Sequence, residues 1–216
     1  DIRKLKNIIS EYSDVKIFAL NYFSHFTLTQ NSIIHEIGDK YLTKEDMEII
    51  DNKALVITTR RPNLVTECIP KSKVIDSDGE LHKVAVHWGL EEAQALSKLK
   101  VKKVPSPILR DYKWPGVFPP MTHQRDTASF LTLNQRAFCF NEQGTGKTAS
   151  AIWAADYLMN IGKVGRVLII CPLSIMQSAW QADLFKFAVH RKVDVAYGDR
   201  RKRQAVIAGD ADYVII

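Results

Sequence analysis

The run Gly144-Thr145-Gly146-Lys147-Thr148 has residue types and a spacing that can do chemistry on a polyanion. Glycines one residue apart let the backbone turn sharply and approach a ligand without side-chain obstruction. The N–H groups of such a turn, and of the helix start behind it, can converge on a single phosphate group. Lys147 supplies a mobile ammonium for the outer phosphates, and Thr148 supplies a hydroxyl for a magnesium ion. From Asn141 to Thr148 the chain therefore reads as a phosphate-binding loop, with Asn141 where the general pattern carries its first glycine. That replacement leaves the phosphate-touching part intact. The bland alternative is a glycine turn that merely precedes a helix.

The elements needed to position such a loop are legible on both sides. Ala137-Phe138-Cys139-Phe140 predicts a buried strand before it, and residues 148–155 predict a helix after it. His123-Gln124-Arg125 opens an earlier helix that reaches Leu133. Residues 166–171 form a continuous apolar run suited to the middle of a parallel sheet. Ser174, with Gln177 three residues on, predicts a capping box for a helix through Trp180 to Phe187. A strand is expected over 193–196 and another over 211–216. Between them Asp199 caps a helix carrying Arg200, Arg201, Lys202 and Arg203 and closed by Gly209. This alternation predicts an α/β fold: a doubly wound parallel sheet with the loop at a strand's C-terminal end.

The preceding half reads as a smaller α+β region. Ile2, Leu5, Ile8, Ile9 and Tyr12 fall at helical spacing, and residues 15–20 suggest a strand. Thr43, with Asp46 three residues on, reads as a helix start before Met47, Ile49 and Ile50. Residues 55–59 predict a strand, and Pro62 starts a short helix toward Cys68. Residues 73–75 and 81–87 predict a hairpin around Asp76-Ser77-Asp78-Gly79, and residues 90–99 a helix. Arg60, Arg61, Lys71, Lys73 and Lys83 make this region basic, as a solvated face or as a contact for DNA. Residues 105–120 form a proline-rich connector with Tyr112, Trp114 and Phe118, which either pack under the next domain or stack on a base. The expected domains are thus 1–104 (subregions 1–52 and 53–104), the connector 105–120, and the loop-bearing domain 121–216.

Composition narrows the class further. With 216 residues, 46% hydrophobic and 25% charged, the chain can bury a sizeable core as an ordinary soluble globular protein. No apolar run reaches the length of a membrane span, so no membrane partner is expected. A net charge of +6 fits a polyanionic partner. Cys68, Cys139 and Cys171 lack any paired spacing, which argues against a zinc site and fits a reducing cytoplasm. A start at Asp1 and a stop within the strand-like run Tyr213-Val214-Ile215-Ile216 suggest a piece of a longer protein.

In combination these stretches resemble the superfamily-two helicases, particularly the Swi/Snf-like DNA translocases and their bacteriophage-encoded branch. His123-Gln124 resembles the glutamine motif, in which the side-chain amide reads adenine. Asn141 to Thr148 resembles that family's variant loop, which normally begins with an acidic residue followed by a glutamate, here Glu142. Leu168 to Trp180 resembles the next motif, whose serine-bearing turn, here Ser174, contacts the DNA backbone. Tyr197-Gly198 and Tyr213 to Ile216 resemble the approach to the following motif. The likeness covers about residues 105–216. It implies an incomplete first RecA-like motor lobe, a hydrolase that in full length drives helicase or translocase activity along DNA, double-stranded by the same likeness, and a second lobe elsewhere. It implies ATP and Mg2+ held by Gln124, Glu142, Gln143, Gly144, Thr145, Gly146, Lys147 and Thr148, with Lys147 and Thr148 acting on the reacting phosphate and Thr148 on the metal. The acidic magnesium motif, the coupling motif and the arginine finger have no counterpart here. Met121 and Thr122 stand where the family usually has an arginine ahead of the glutamine motif. Hydrolysis needs a metal-bound carboxylate, a base and a cation, so ATP binding without turnover is expected of this chain. A non-hydrolysing nucleic-acid- or protein-binding module with a vestigial loop is the main rival. A small-molecule kinase on the same loop is a third reading, against which the Ser174 motif argues.

Overall fold

The computed structural model describes residues 16–18 and 42–216. The helical spacing from Ile2 to Tyr12, and Val15, Ala19 and Leu20 of the first expected strand, lie outside the described residues. In chain order the elements are β1 (Lys16–Phe18), β2 (Leu42–Ile50), β3 (Ala54–Thr59), α1 (Pro62–Cys68), β4 (Ser72–Asp78), β5 (Leu81–His87), α2 (Leu90–Lys98) and the one-turn α3 (Ile108–Asp111). There follow α4 (Thr122–Leu133), α5 (Lys147–Asn160), β6 (Val167–Ile169), α6 (Ala182–Phe187), β7 (Val193–Val195), α7 (Arg200–Ala208) and β8 (Tyr213–Ile215). The described residues fall into two units, 42–111 and 112–216 with β1, so the boundary lies within the proline-rich connector. No helix among them is long and apolar enough to cross a membrane.

The first unit is an antiparallel sheet in the order β2-β3-β5-β4. Leu55, Val56 and Ile57 of β3 are buried, as are Val84 and Val86 of β5, Val65 of α1 and Ala93 and Leu96 of α2. The expected hairpin is present, but β4 runs through Asp78, leaving Gly79-Glu80 as a two-residue loop. Gly79 takes φ +58 at the first loop position, where a type II′ turn places glycine. The helix start expected at Thr43 and Asp46 is absent, because that segment is β2. Asp51 and Asn52 both adopt positive φ, and the Lys53 amide closes the turn onto the Ile50 carbonyl at 3.0 Å. That tight turn folds Met47 against Ile57 and Ile49 against Leu55, and the ladder it creates overrides the local cap signal.

In the second unit, β1, β6, β8 and β7 form an all-parallel sheet in that order. The expectation of a mixed α/β fold with a parallel sheet is met. α5 is buried from Ala149 to Leu158, as an apolar helix surrounded by protein should be. Trp153 and Ile152 lie in the core with Leu184 of α6 and Tyr213 and Ile215 of β8.

Of the connector aromatics, Tyr112 and Trp114 pack inward, while Phe118 stays 62% exposed and only leans on Phe187 at 6.3 Å. Trp114 meets Tyr112 edge-on at 5.2 Å and Trp153 at 5.7 Å, and Trp153 in turn meets Phe187 at 5.1 Å. The Trp153 indole donates to the Pro115 carbonyl at 2.7 Å. Under this layer lies Asp156, fully buried. Its carboxylate accepts from the Tyr112 hydroxyl at 2.6 Å, Arg191 Nε at 2.6 Å, His190 Nε2 at 2.9 Å and Asn160 Nδ2 at 3.3 Å. Four donors on one carboxylate are what allow it to stay out of water.

The strand expected at 137–140 does not form. Residues 137–142 have no regular secondary structure and no ladder partner, and the edge of β6 away from β8 is taken by β1. Without a neighbouring strand above it, the side-chain alternation has nothing to cover it. Phe138 and Phe140 are 72% and 80% exposed and stack on each other at 5.7 Å.

Candidate phosphate-binding site

The site is built from α4, the loop 141–146 and the first turn of α5. Lys147 opens α5, with Gly146 before it at φ +76 and Gly144 at φ +79. Both values lie in the left-handed region that glycine enters without strain. A Cβ on Gly144 would meet nothing within 4 Å, so the space beside it is open. A Cβ on Gly146 would come 2.1 Å from Gln124 Nε2, so the glutamine would have to turn away from the loop, and the positive φ is what calls for glycine there. The Ser150 amide makes the first helical bond, to the Gly146 carbonyl at 3.1 Å. The amides before it have no partner within the helix and form its positive end.

Side chains of α4 hold this loop. Gln124 accepts the Met121 amide at 3.0 Å through Oε1 and donates through Nε2 to the Thr145 carbonyl at 3.3 Å. His123 Nε2 reaches the same carbonyl at 3.0 Å. A carbonyl only accepts, so this contact requires the hydrogen on Nε2. Further along α4, Thr127 donates to the His123 carbonyl at 2.7 Å and receives Asn141 Nδ2 at 2.8 Å. The Thr145 hydroxyl donates to the Glu142 carbonyl at 2.8 Å, which tightens the turn.

Lys147 is half-buried and turned back on the loop. Its ammonium donates to the Asn141 carbonyl at 2.9 Å and the Glu142 carbonyl at 2.7 Å. No carboxylate among the described residues pairs with it. The charge is therefore held by dipoles alone, and an anion could draw it away without breaking an ion pair. Thr148 is half-buried one residue on, and Glu142 and Gln143 are exposed.

Of the residues singled out by sequence, Gln124, Thr145, Gly146 and Lys147 are thus brought into direct contact or into one turn, with Gly144 at its open side. Ser174 is not joined to them by any hydrogen bond and lies exposed in a 3₁₀ turn, Leu173–Ile175. The capping box expected from Ser174 and Gln177 is absent: no side chain caps this start, and a π turn, Met176–Gln181, leads into α6. Met176, Trp180 and Leu184 are all buried at successive four-residue steps. Two such steps would drift around a helix of 3.6 residues per turn, and the wider π turn offsets the drift. Sequence reasoning missed Thr127 and the amide of Asn141 as loop-holding groups. The available signal was a polar side chain at 141, where the pattern wants glycine.

The sequence matches no protein-family profile and no curated protein. Among solved structures, the chain is similar to the SWI2/SNF2 ATPase core of Sulfolobus solfataricus in complex with double-stranded DNA, at 24% identity and a TM-score of 0.41. The likeness covers 47% of this chain and 22% of that one, so the chain spans about a fifth of the structure it matches.

Proposed function

We propose that this chain binds ATP with Mg2+ at the 141–148 loop, as part of the first RecA-like lobe of a cytoplasmic, ATP-driven DNA helicase or translocase. The observation that carries the reading is the convergence of Gly144, Gly146, Lys147 and Gln124 on one open turn at the start of a buried helix. The donor set suits a polyphosphate: unpaired helix-start amides, one ammonium free of carboxylates, and a hydroxyl at Thr148. Thr148 would hold the metal, which when bound would neutralise charge on the phosphate oxygens. The amides at the start of α5 grip a phosphate. Lys147 exchanges two carbonyls for phosphate oxygens, and Gln124 keeps the Thr145 end of the loop in place while facing the base. DNA as partner rests on the motif resemblance, the net charge of +6 and Ser174. Residues 42–104 serve as an accessory region and 105–120 as its connector, while β1 joins the sheet of the loop-bearing unit.

The test is titration of the chain with a fluorescent ATP analogue in the presence and absence of Mg2+. Lys147→Ala is expected to weaken binding more than tenfold. Equal affinity of the variant, or no binding by the unaltered chain at millimolar nucleotide, overturns the reading.

A second reading, a nucleic-acid-binding module with a vestigial loop, is favoured by α7. Arg200, Arg201, Lys202 and Arg203 are all exposed there, and no carboxylate among the described residues pairs with them. Under that reading, duplex DNA binds tightly and Lys147→Ala changes nothing.

A further inference from the structure

We infer that Asn141 is a positioning residue, whose side-chain amide fastens the entry of the phosphate loop to α4 through Thr127. The effect on affinity rests on the nucleotide reading above; the effect on loop order does not.

The direction of each hydrogen bond is fixed by its partners. Thr127 has one hydroxyl proton, and its 2.7 Å contact to the His123 carbonyl must use it, because a carbonyl cannot donate. The Thr127 oxygen is then an acceptor toward residue 141, and Asn141 has to donate through Nδ2 at 2.8 Å. An ionised carboxylate at 141 has no proton to give and could meet Thr127 only by drawing the hydroxyl proton away from the His123 carbonyl, and a glycine has no group at all. Thr127 is 9% exposed, so water replaces a lost partner there poorly.

The placement gives the bond its consequence. Asn141 offers its carbonyl to Lys147 at 2.9 Å while its side chain is tied to α4. Thr145, beyond the open position at Gly144, is tied by its carbonyl to His123 and Gln124 on the same helix. One turn of α4 therefore grips both ends of the segment 141–145. Fixing both ends before a ligand arrives removes ordering cost from the binding step. Asn141 thus adds an anchor that the glycine of the general pattern could not provide.

Five variants of the full 216-residue chain test this: Asn141→Ala, Asn141→Asp, Thr127→Val, Thr127→Ser and the double Asn141→Ala/Thr127→Val. The readouts are 15N order parameters of the Gly144 and Gly146 amides without ligand, and affinity for ATP. The Ala and Val singles should lower both order parameters and weaken ATP binding about five- to tenfold. Asp, which can be held by a turned Thr127 hydroxyl but adds a negative charge beside the phosphates, should weaken ATP binding with less loss of order. Thr127→Ser should behave as the unaltered chain, and the double should be no worse than either single. Effects of Asn141→Ala and Thr127→Val that simply multiply, or Asn141→Ala matching the unaltered chain in order parameters and affinity, overturn the inference. Should Asn141→Ala fail to fold, Thr127→Val compared with Thr127→Ser carries the test. If Lys147→Ala abolishes binding while these variants change nothing, the inference fails and the nucleotide reading stands. If the unaltered chain binds no ATP, that reading fails and the order parameters alone decide this one.

Discussion

Truncating Asp156 to alanine should destabilise the second unit more than any surface change, and the expected size can be worked out. Asp156 is fully buried and bonded to Tyr112, Arg191, His190 and Asn160. Removing one side of a buried ion pair costs about 3–5 kcal/mol, since the other charge stays in place without its partner. Several features pull toward the lower end. The Arg191 side chain is 17% exposed and keeps contacts with Asn160 and, at 3.9 Å, with Asp212. His190 is 44% exposed and can turn to water. The orphaned Tyr112 hydroxyl adds about 1 kcal/mol in the other direction. A net loss of about 3–4 kcal/mol, at about 2–4 °C per kcal/mol for a chain of this size, lowers Tm by about 6–16 °C. Asp156→Asn keeps the shape and an acceptor for Tyr112 but turns N–H groups toward cationic donors, so about half that loss is expected. Thermal unfolding followed by near-ultraviolet circular dichroism reads the packing of the buried aromatic residues, Trp153 among them. The double variant Asp156→Ala/Arg191→Ala should lose less than the sum of its singles. A Tm for Asp156→Ala within about 2 °C of the unaltered chain would refute the claim that the pair is buried and coupled.

Two further outcomes follow from the same unit. Burial first, and for Tyr112 also the bond to Asp156, holds the Tyr112 and Tyr213 hydroxyls far above the ordinary tyrosine value of 10.0. The unfolded chain loses these protons near pH 10 while the folded chain keeps them, so this contribution is complete below pH 10 and declines as pH rises beyond it. Urea unfolding between pH 8 and pH 11 should show that decline, with phenolate absorbance from the two residues appearing only on unfolding; appearance before unfolding counts against their burial. Gly146→Ala should weaken ATP binding more than tenfold, through the strain at φ +76 and the displacement of Gln124, whose Nε2 would lie 2.1 Å from the new Cβ. A titration reads this, and full affinity in the variant contradicts the loop geometry.

What the sequence makes legible depends on whether a signal is local. The helical pattern after the loop and the apolar runs around β6 and β8 announce their elements, and the fold agrees, although β6 takes only Val167–Ile169 of the expected 166–171 and Ile170 is exposed. Asp199 caps α7 as expected, accepting the Lys202 amide at 2.9 Å, because a cap is made within four residues. The apolar alternation at Phe138 and Phe140 is equally clear, yet a strand is a property of a pair, and no ladder neighbour meets this one. At Thr43 a cap signal competed with the turn at Asp51-Asn52, and cross-strand pairing decided in favour of β2. In the candidate site, Gly144, Gly146, Lys147 and Thr148 announce themselves by type and spacing. Thr127 does not, because its bond to Asn141 spans fourteen residues and depends on how α4 lies along the loop. Ser174 carried a valid local signal, which the burial of Met176, Trp180 and Leu184 overruled.

The resting place of Lys147 has a consequence for selectivity. An arriving anion must detach the ammonium from two carbonyl dipoles before gaining its charge. A monodentate oxyanion offers that nitrogen little more than it already has, whereas a chain of linked phosphates engages it and the main-chain amides in the same event. Under the proposed function, the turn would thus select by denticity, favouring extended polyphosphates over simple inorganic anions.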